Sequence, residues 1–197
     1  MNDVFKITGG SPLKGEMAVS GAKNAASKMM IATLLTDEPV VLSLLPRQQE
    51  TEITHEIITT VGARTEWTDE HTLKTQTSTI TSSHVAELTR KNRISVLAIA
   101  PLLHRTGEAF VPLVGGDKIG ARPVNFHIQA LQTLGAMIEE TPEGYRATVN
   151  KRLKGGLIKF PYPSVMATET AILAGVLAEG RTMIRNAAGE PEVKALI

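Results

Sequence analysis

Four stretches of the chain carry residues whose types and spacing suit them to bind or transform a ligand. Gly21-Ala22-Lys23-Asn24-Ala25 opens a helix-like segment. Backbone N–H groups at a helix start lack intrahelical partners and carry partial positive charge. Lys23 therefore reads either as a phosphate or carboxylate ligand or as a solvated first-turn lysine. Arg90-Lys91-Asn92-Arg93 sets three cations just ahead of an apolar run. Such a cluster is usually a solvated face, but Arg93 adjoins the apolar residues, and its head group can point into a cleft. Gly115-Gly116-Asp117-Lys118-Ile119-Gly120-Ala121-Arg122-Pro123 is a glycine-rich loop followed by Asn125 and His127. Glycines let a backbone approach a ligand closely. A plain turn would explain them, but not Asp117, Lys118 and Arg122 together. The loop matches neither a P-loop nor GxGxxG. The fourth stretch, Pro161-Tyr162-Pro163-Ser164-Val165-Met166-Ala167-Thr168, offers Ser164 as an N-cap or, with Thr168, as a hydroxyl pair for a diphosphate. His55, His71, His84 and His104 show no HxH or HExxH spacing and read as structural or surface residues, so no metal site is signalled.

These stretches sit on a repeated order of elements. Ser20 to Leu35 has Ala22, Ala25, Ala26, Met29, Met30 and Thr33 at helical spacing, with Ser20 the expected N-cap. A strand at Val40–Leu44 and a helix over Thr51–Val61 follow, closed by Gly62-Ala63. The order recurs as a buried helix over Arg90–Leu103, the connector His104–Glu108, a strand at Ala109–Val114 and a helix over Phe126–Leu134, closed by Gly135-Ala136. It begins a third time with a helix over Val165–Ala178, a strand at Thr182–Arg185 and a helix from Glu192. The spacing from Leu34 to Gly62, or from Leu102 to Gly135, counted from Val176, runs past Ile197. The third unit is thus expected to be truncated.

Composition narrows the classes. Among 197 residues, 42% are hydrophobic and 21% charged, which suits a globular chain and excludes a disordered tail. A net charge of +1 gives no global pull toward nucleic acid or an anionic membrane. Four Phe, two Tyr and one Trp are too few for an extended base-stacking surface. With no cysteine, disulfide scaffolds, thiolate zinc sites and a Cys nucleophile are excluded. The longest apolar run, Ile94–Leu103, falls well short of the ~18 residues of a membrane span. Met1-Asn2-Asp3-Val4 shows no secretory n-region, so a cytoplasmic location is expected.

Ser20-Gly21-Ala22-Lys23-Asn24-Ala25, Gly120-Ala121-Arg122-Pro123-Val124 and His127, with Leu153-Lys154-Gly155-Gly156 and Asn186-Ala187-Ala188 ahead of Glu190-Pro191-Glu192, occur in one order along the chain. In this the whole chain resembles the N-terminal part of UDP-N-acetylglucosamine enolpyruvyl transferases. The resemblance implies an α/β fold, a lobe of three repeated units around buried helices with the third truncated. Residues 1–19 would be a strand segment that packs with a second lobe, and 20–197 an incomplete first lobe. It further implies transfer of enolpyruvyl from phosphoenolpyruvate to the 3′-hydroxyl of UDP-N-acetylglucosamine, the first committed step of peptidoglycan synthesis, without metal or organic cofactor. That chemistry ties the family to cell wall biogenesis, cell shape, the cell cycle and division. Expected partners are the two small-molecule substrates and a missing C-terminal lobe, with neither nucleic acid nor membrane.

By the same resemblance, Asp117, Lys23 and Arg122 are the catalytic residues. Lys23, Asn24, Arg93 and Arg122 would bind phosphoenolpyruvate. Arg93, Arg122, Pro123, Val124, Asn125, Phe126, Ser164 and Val165 would line the UDP-sugar site. Asp117 stands where most members carry cysteine, so it would serve as the acid only if its carboxyl stayed protonated. The sequence departs from the family at Asn125 (usually Asp), Tyr162 (commonly Lys) and Met166 (commonly Gly). The separate chain is expected to be inactive or partner-dependent, and at best weakly ligand-binding. Two alternatives stand beside this reading: the sister transferase acting on 3-phosphoshikimate, and a non-catalytic sugar-nucleotide-binding module.

Overall fold

The computed structural model of the chain describes residues 4–10, 12–85, 88, 92–113 and 123–197. Helix α1 (Lys23–Ala32) follows the alanine and methionine spacing and tightens into a 3-10 turn at Thr33–Leu35. Strand β1 (Val40–Leu42), helix α2 (Gln49–Thr60) and the hairpin β2 (Arg64–Trp67) and β3 (Leu73–Gln76) complete a first unit. The second contains a 3-10 turn at Ile94–Ala98, α3 (Ile99–Thr106), β4 (Glu108–Pro112), α4 (Asn125–Thr133), β5 (Ala136–Glu140) and β6 (Gly144–Val149). The third contains β7 (Leu157–Lys159), α5 (Val165–Gly175), β8 (Met183–Arg185) and α6 (Pro191–Leu196).

The sheets carry the repeat in their topology. The first is ordered β1-β3-β2 and the second β4-β6-β5, each antiparallel throughout. In the third, β7 and β8 pair in parallel, with Leu157 opposite Met183. The second unit has the same latch in reduced form, a parallel bridge between His84 and Phe110 on β4.

The central helices form the core. Every residue from Ile94 to Ala100 is buried, as are Ala167 to Ala171 on α5. Small and β-branched side chains let these helices approach closely, and each fully buried Leu or Ile contributes roughly 1.5–3 kcal/mol. α1 packs on α2 and α6, while α5 packs on α3, α4 and α6. Among the described residues, 4–10 and 12–20 join no sheet, and Phe5 and Leu13 are more than nine-tenths exposed.

The structure corrects three local expectations. α1 starts at Lys23 with Ala22 as N-cap and no side-chain cap, so Ser20 is not the cap. Gly21, just ahead of the helix, lies against the Leu44 carbonyl, where a Cβ would collide. The helix expected over Arg90–Leu103 is a 3-10 turn from Ile94 that becomes α-helical only at Ile99. Pro101 has no N–H to give, and its ring opposes a regular α-helical turn upstream. The third correction is at the connector, since His104, Arg105 and Thr106 belong to α3. Arg105 donates to the carbonyls of Leu34 (3.1 Å) and Thr77 (2.9 Å), and Gly107, at φ 80°, ends the helix.

Candidate functional site

The first candidate region is the start of α1. The first turn has no side-chain cap for its N–H groups, and Lys23 stands there with its side chain about half exposed. Its ammonium lies 3.3 Å from Oε2 of Glu50, in the first turn of α2. The other oxygen of Glu50 accepts the Ser27 hydroxyl at 2.9 Å and lies 4.0 Å from the Lys28 ammonium. Asn24 Nδ2 donates to Glu192 Oε1 at 3.1 Å, tying α1 to α6. Hydrogen bonds from its own backbone N–H and from Asn24 hold the Glu192 carboxyl below the usual range.

The second region is a cleft of about 270 Å3 lined by Arg93, Pro123, Phe126, His127, Tyr162, Ser164, Val165 and Met166. Arg93 donates to the Pro123 carbonyl, which fixes the guanidinium beside the start of α4. Asn92 prepares this position by accepting the Ile94 N–H at 2.9 Å. Phe126 meets Tyr162 edge-on at 5.1 Å to form an aromatic wall, and buried Phe160 backs Phe126 at 6.1 Å. Ser164 is the N-cap of α5 but makes no side-chain cap bond. Its backbone carbonyl takes the Thr168 N–H, and Thr168 Oγ1 accepts the Ala188 N–H at 3.0 Å.

His127 forms the floor. It is 2% exposed, and its Nδ1 lies 2.7 Å from Thr170 Oγ1 on α5. Burial first, and the neighbouring Arg93 second, push its pKa down to about 3. The imidazole is thus neutral at physiological pH and contributes shape and one hydrogen bond rather than charge.

The structure brings Arg93, Pro123, Phe126, Ser164 and Val165 into one cleft. Lys23 and Asn24 stand apart at the α1 start. Val124 is buried and Asn125 is exposed, and neither lines the cleft. Asp117 and Arg122 lie outside the described residues, as do Arg90, Lys91 and Lys118. Sequence reasoning missed Glu50, Lys28, Glu169 and Glu192. The available signal was a charged residue on each of two buried helix faces, Lys28 on α1 and Glu169 on α5.

A lobe of repeated α/β units around buried helices, with a cation-bearing cleft at the helix starts, is an enolpyruvyl-transferase architecture. The enolpyruvyl transferase NikO from Streptomyces tendae superposes with a TM-score of 0.80 at 22% identity, covering 95% of this chain and 44% of that one. An EPSP synthase from Acinetobacter baumannii gives 0.69 at 17% identity, over 91% and 42%. The chain belongs to the EPSP synthase (3-phosphoshikimate 1-carboxyvinyltransferase) family, matched over residues 7–197. Its curated relatives include the UDP-N-acetylglucosamine 1-carboxyvinyltransferases of Protochlamydia amoebophila (strain UWE25) and Caulobacter sp. (strain K31). The first is 44% identical over 99% of this chain and 43% of its own length, the second 47% over 97% and 45%. The chain therefore spans less than half the length of these relatives.

Proposed function

We propose that this chain supplies the first-lobe portion of a UDP-N-acetylglucosamine 1-carboxyvinyltransferase. The observation that carries the reading is the cleft. A fixed guanidinium, an aromatic wall and an uncapped helix start converge on a space of about 270 Å3, on residues the transferase motifs single out. A planar base suits Phe126 and Tyr162, and a diphosphate suits the Ser164 hydroxyl, the α5 N–H groups and Arg93. The likeness in sequence to relatives of that name, against the lower identity to solved EPSP synthases, favours UDP-N-acetylglucosamine over 3-phosphoshikimate.

In the reaction the sugar 3′-hydroxyl gives its proton to a base as its oxygen bonds to C2 of phosphoenolpyruvate, while an acid protonates C3. The C2–O bond to phosphate then breaks as C3 loses a proton, restoring the double bond. Lys23, Arg93 and Arg122 are assigned the phosphate and carboxylate charge, Asn24 the orientation of the ligand, and Asp117 the proton to C3. Val124 and Asn125 belong to the nucleotide loop. The remaining catalytic groups belong to a second lobe, and the exposed apolar side chains of residues 4–19 are assigned to packing against it. The whole protein is assigned to the cytoplasm and to peptidoglycan synthesis, hence to cell wall biogenesis, cell shape and division. No helix among the described residues is long and apolar enough to cross a membrane.

Calorimetric titration tests the reading directly. UDP-N-acetylglucosamine should bind the chain and shikimate 3-phosphate should not; the opposite ranking overturns the substrate assignment. The chain alone should release no phosphate from phosphoenolpyruvate, and addition of the C-terminal half of the Caulobacter relative should restore release. Binding without turnover in that mixture would favour the non-catalytic module. Fosfomycin, which alkylates the family's loop cysteine, should add no mass to this chain, since Asp117 offers no thiolate.

A further inference from the structure

Two buried ionisable side chains lie behind Lys23 and have no part in the reaction as assigned. Lys28 is 5% exposed, and its ammonium reaches toward Glu50. Glu169 is fully buried, and neither of its oxygens has a hydrogen-bond partner among the described residues. A native interior rarely leaves a carboxyl so placed without a reason. The charged groups acting on Glu169 are Lys28 from α1, Glu50 from α2, and Glu190 and Glu192 from the start of α6. The elements on its other sides add no charge: α4 brings neutral His127 to the adjacent Thr170, the 3-10 turn Ile94–Ala98 carries no ionisable residue, and α3 places His104 at the far end of α5, on the Ala174 carbonyl.

Glu50 has two cations and one charge to share between them. Whatever strengthens its attraction to Lys28 weakens its hold on Lys23. Ionised Glu169 would compete for Lys28 in a medium where charges interact strongly. We propose that Lys28 and Glu169 are positioning residues for Lys23: with Glu169 neutral, Lys28 occupies Glu50 and the Lys23 ammonium is available to an anion, whereas ionised Glu169 draws Lys28 away and Glu50 retains Lys23. This rests on the reading of Lys23 as an anion ligand. Burial, the largest influence, pushes the Glu169 pKa up to about 7, so the exchange falls in the physiological range.

Sulfate, which does not titrate in this range, is the probe, added to the 197-residue chain at constant ionic strength. Binding should be about fivefold weaker at pH 8.5 than at pH 5.5, at the lower end of typical coupling between sites. Glu169→Gln should bind equally at both values. Lys28→Met should bind weakly at both, and its Glu169 carboxyl carbon, followed by 13C NMR, should titrate at higher pH than in the parent. Lys28→Arg should restore the pH dependence, which a merely structural lysine would not do. PH dependence persisting in Glu169→Gln, or a Glu169 titration unmoved in Lys28→Met, overturns the proposal. If the parent binds no sulfate at either pH, the anion reading of Lys23 fails by itself. The positioning pair is then judged by the Lys23 13Cε shift, which should follow the Glu169 titration in the parent and lose that step in Glu169→Gln. A Lys23 shift indifferent to Glu169 ends the proposal.

Discussion

The start of α1 and the cleft at α4 and α5 both combine a helix N-terminus with a cation, and they differ in what surrounds it. At α1, Lys23 and Asn24 already have acidic partners contributed by α2 and α6. In the cleft, one of the contacts of Arg93 is to the Pro123 carbonyl, the histidine beneath it is uncharged, and the facing wall is aromatic. A ligand entering the cleft meets a pre-set surface. One arriving at Lys23 must compete with Glu50. Charge at α1 is therefore coupled to stability, and shape in the cleft to affinity.

Substitutions can break that division, and the largest expected effect is at Glu169. Its folded pKa lies above its unfolded value of 4.5, so the folded state holds the extra proton. Stability is lost as pH rises from 4.5 and levels off above about 7. Glu169→Gln should thus gain up to about 3 kcal/mol in urea unfolding at pH 8 and match the parent below pH 4. Glu50→Ala comes next, with a loss of about 2–3 kcal/mol at pH 7. It leaves Lys28 buried without its partner, and the value sits low because Glu50 keeps some contact with water.

His127 sharpens the contrast from the cleft side. Its folded pKa of about 3 lies below the unfolded 6.5, so the unfolded chain takes up the proton first and stability falls as pH drops through 6.5. Between pH 7.5 and pH 5 the parent should lose about 2 kcal/mol more than His127→Asn. The smallest effect is expected at Tyr162, which is 58% exposed. Tyr162→Ala should cost about 1 kcal/mol of stability or less, while weakening nucleotide binding measured by calorimetry. A large stability loss there, with unchanged affinity, would erase the distinction between the two regions.

How much of this could be read from the sequence follows the same division. The cleft was legible because Pro123 and Phe126, and likewise Ser164 and Val165, arrive on contiguous motifs that each begin a helix. The repeat was legible because apolar spacing and Gly-Ala closures recur. The α1 network was not, because Lys28, Glu50, Glu169 and Glu192 lie on four helices and meet only through packing. Glu169 was nonetheless the one charged residue in the apolar run Val165–Ala178, a departure that binary patterning alone marks as costly. The 3-10 opening of the second buried helix was missed for another reason. Its apolar content signalled burial correctly, but Pro101 decided the hydrogen-bond pattern.

The parallel latch has a consequence for how the chain can be divided. Because β7 precedes α5 yet pairs with β8 beyond it, and Ser83 and His84 likewise lie against β4 ahead of α3, the second and third sheets each take a flanking segment from upstream of their central helix. A cut made at the apparent unit boundary, just before a central helix, would strip the next sheet of a neighbour. Permuted or excised versions of this lobe should therefore place their new termini upstream of the borrowed segment, near Asn150–Lys151 for the third unit. The natural module begins there, earlier than the helix that announces it.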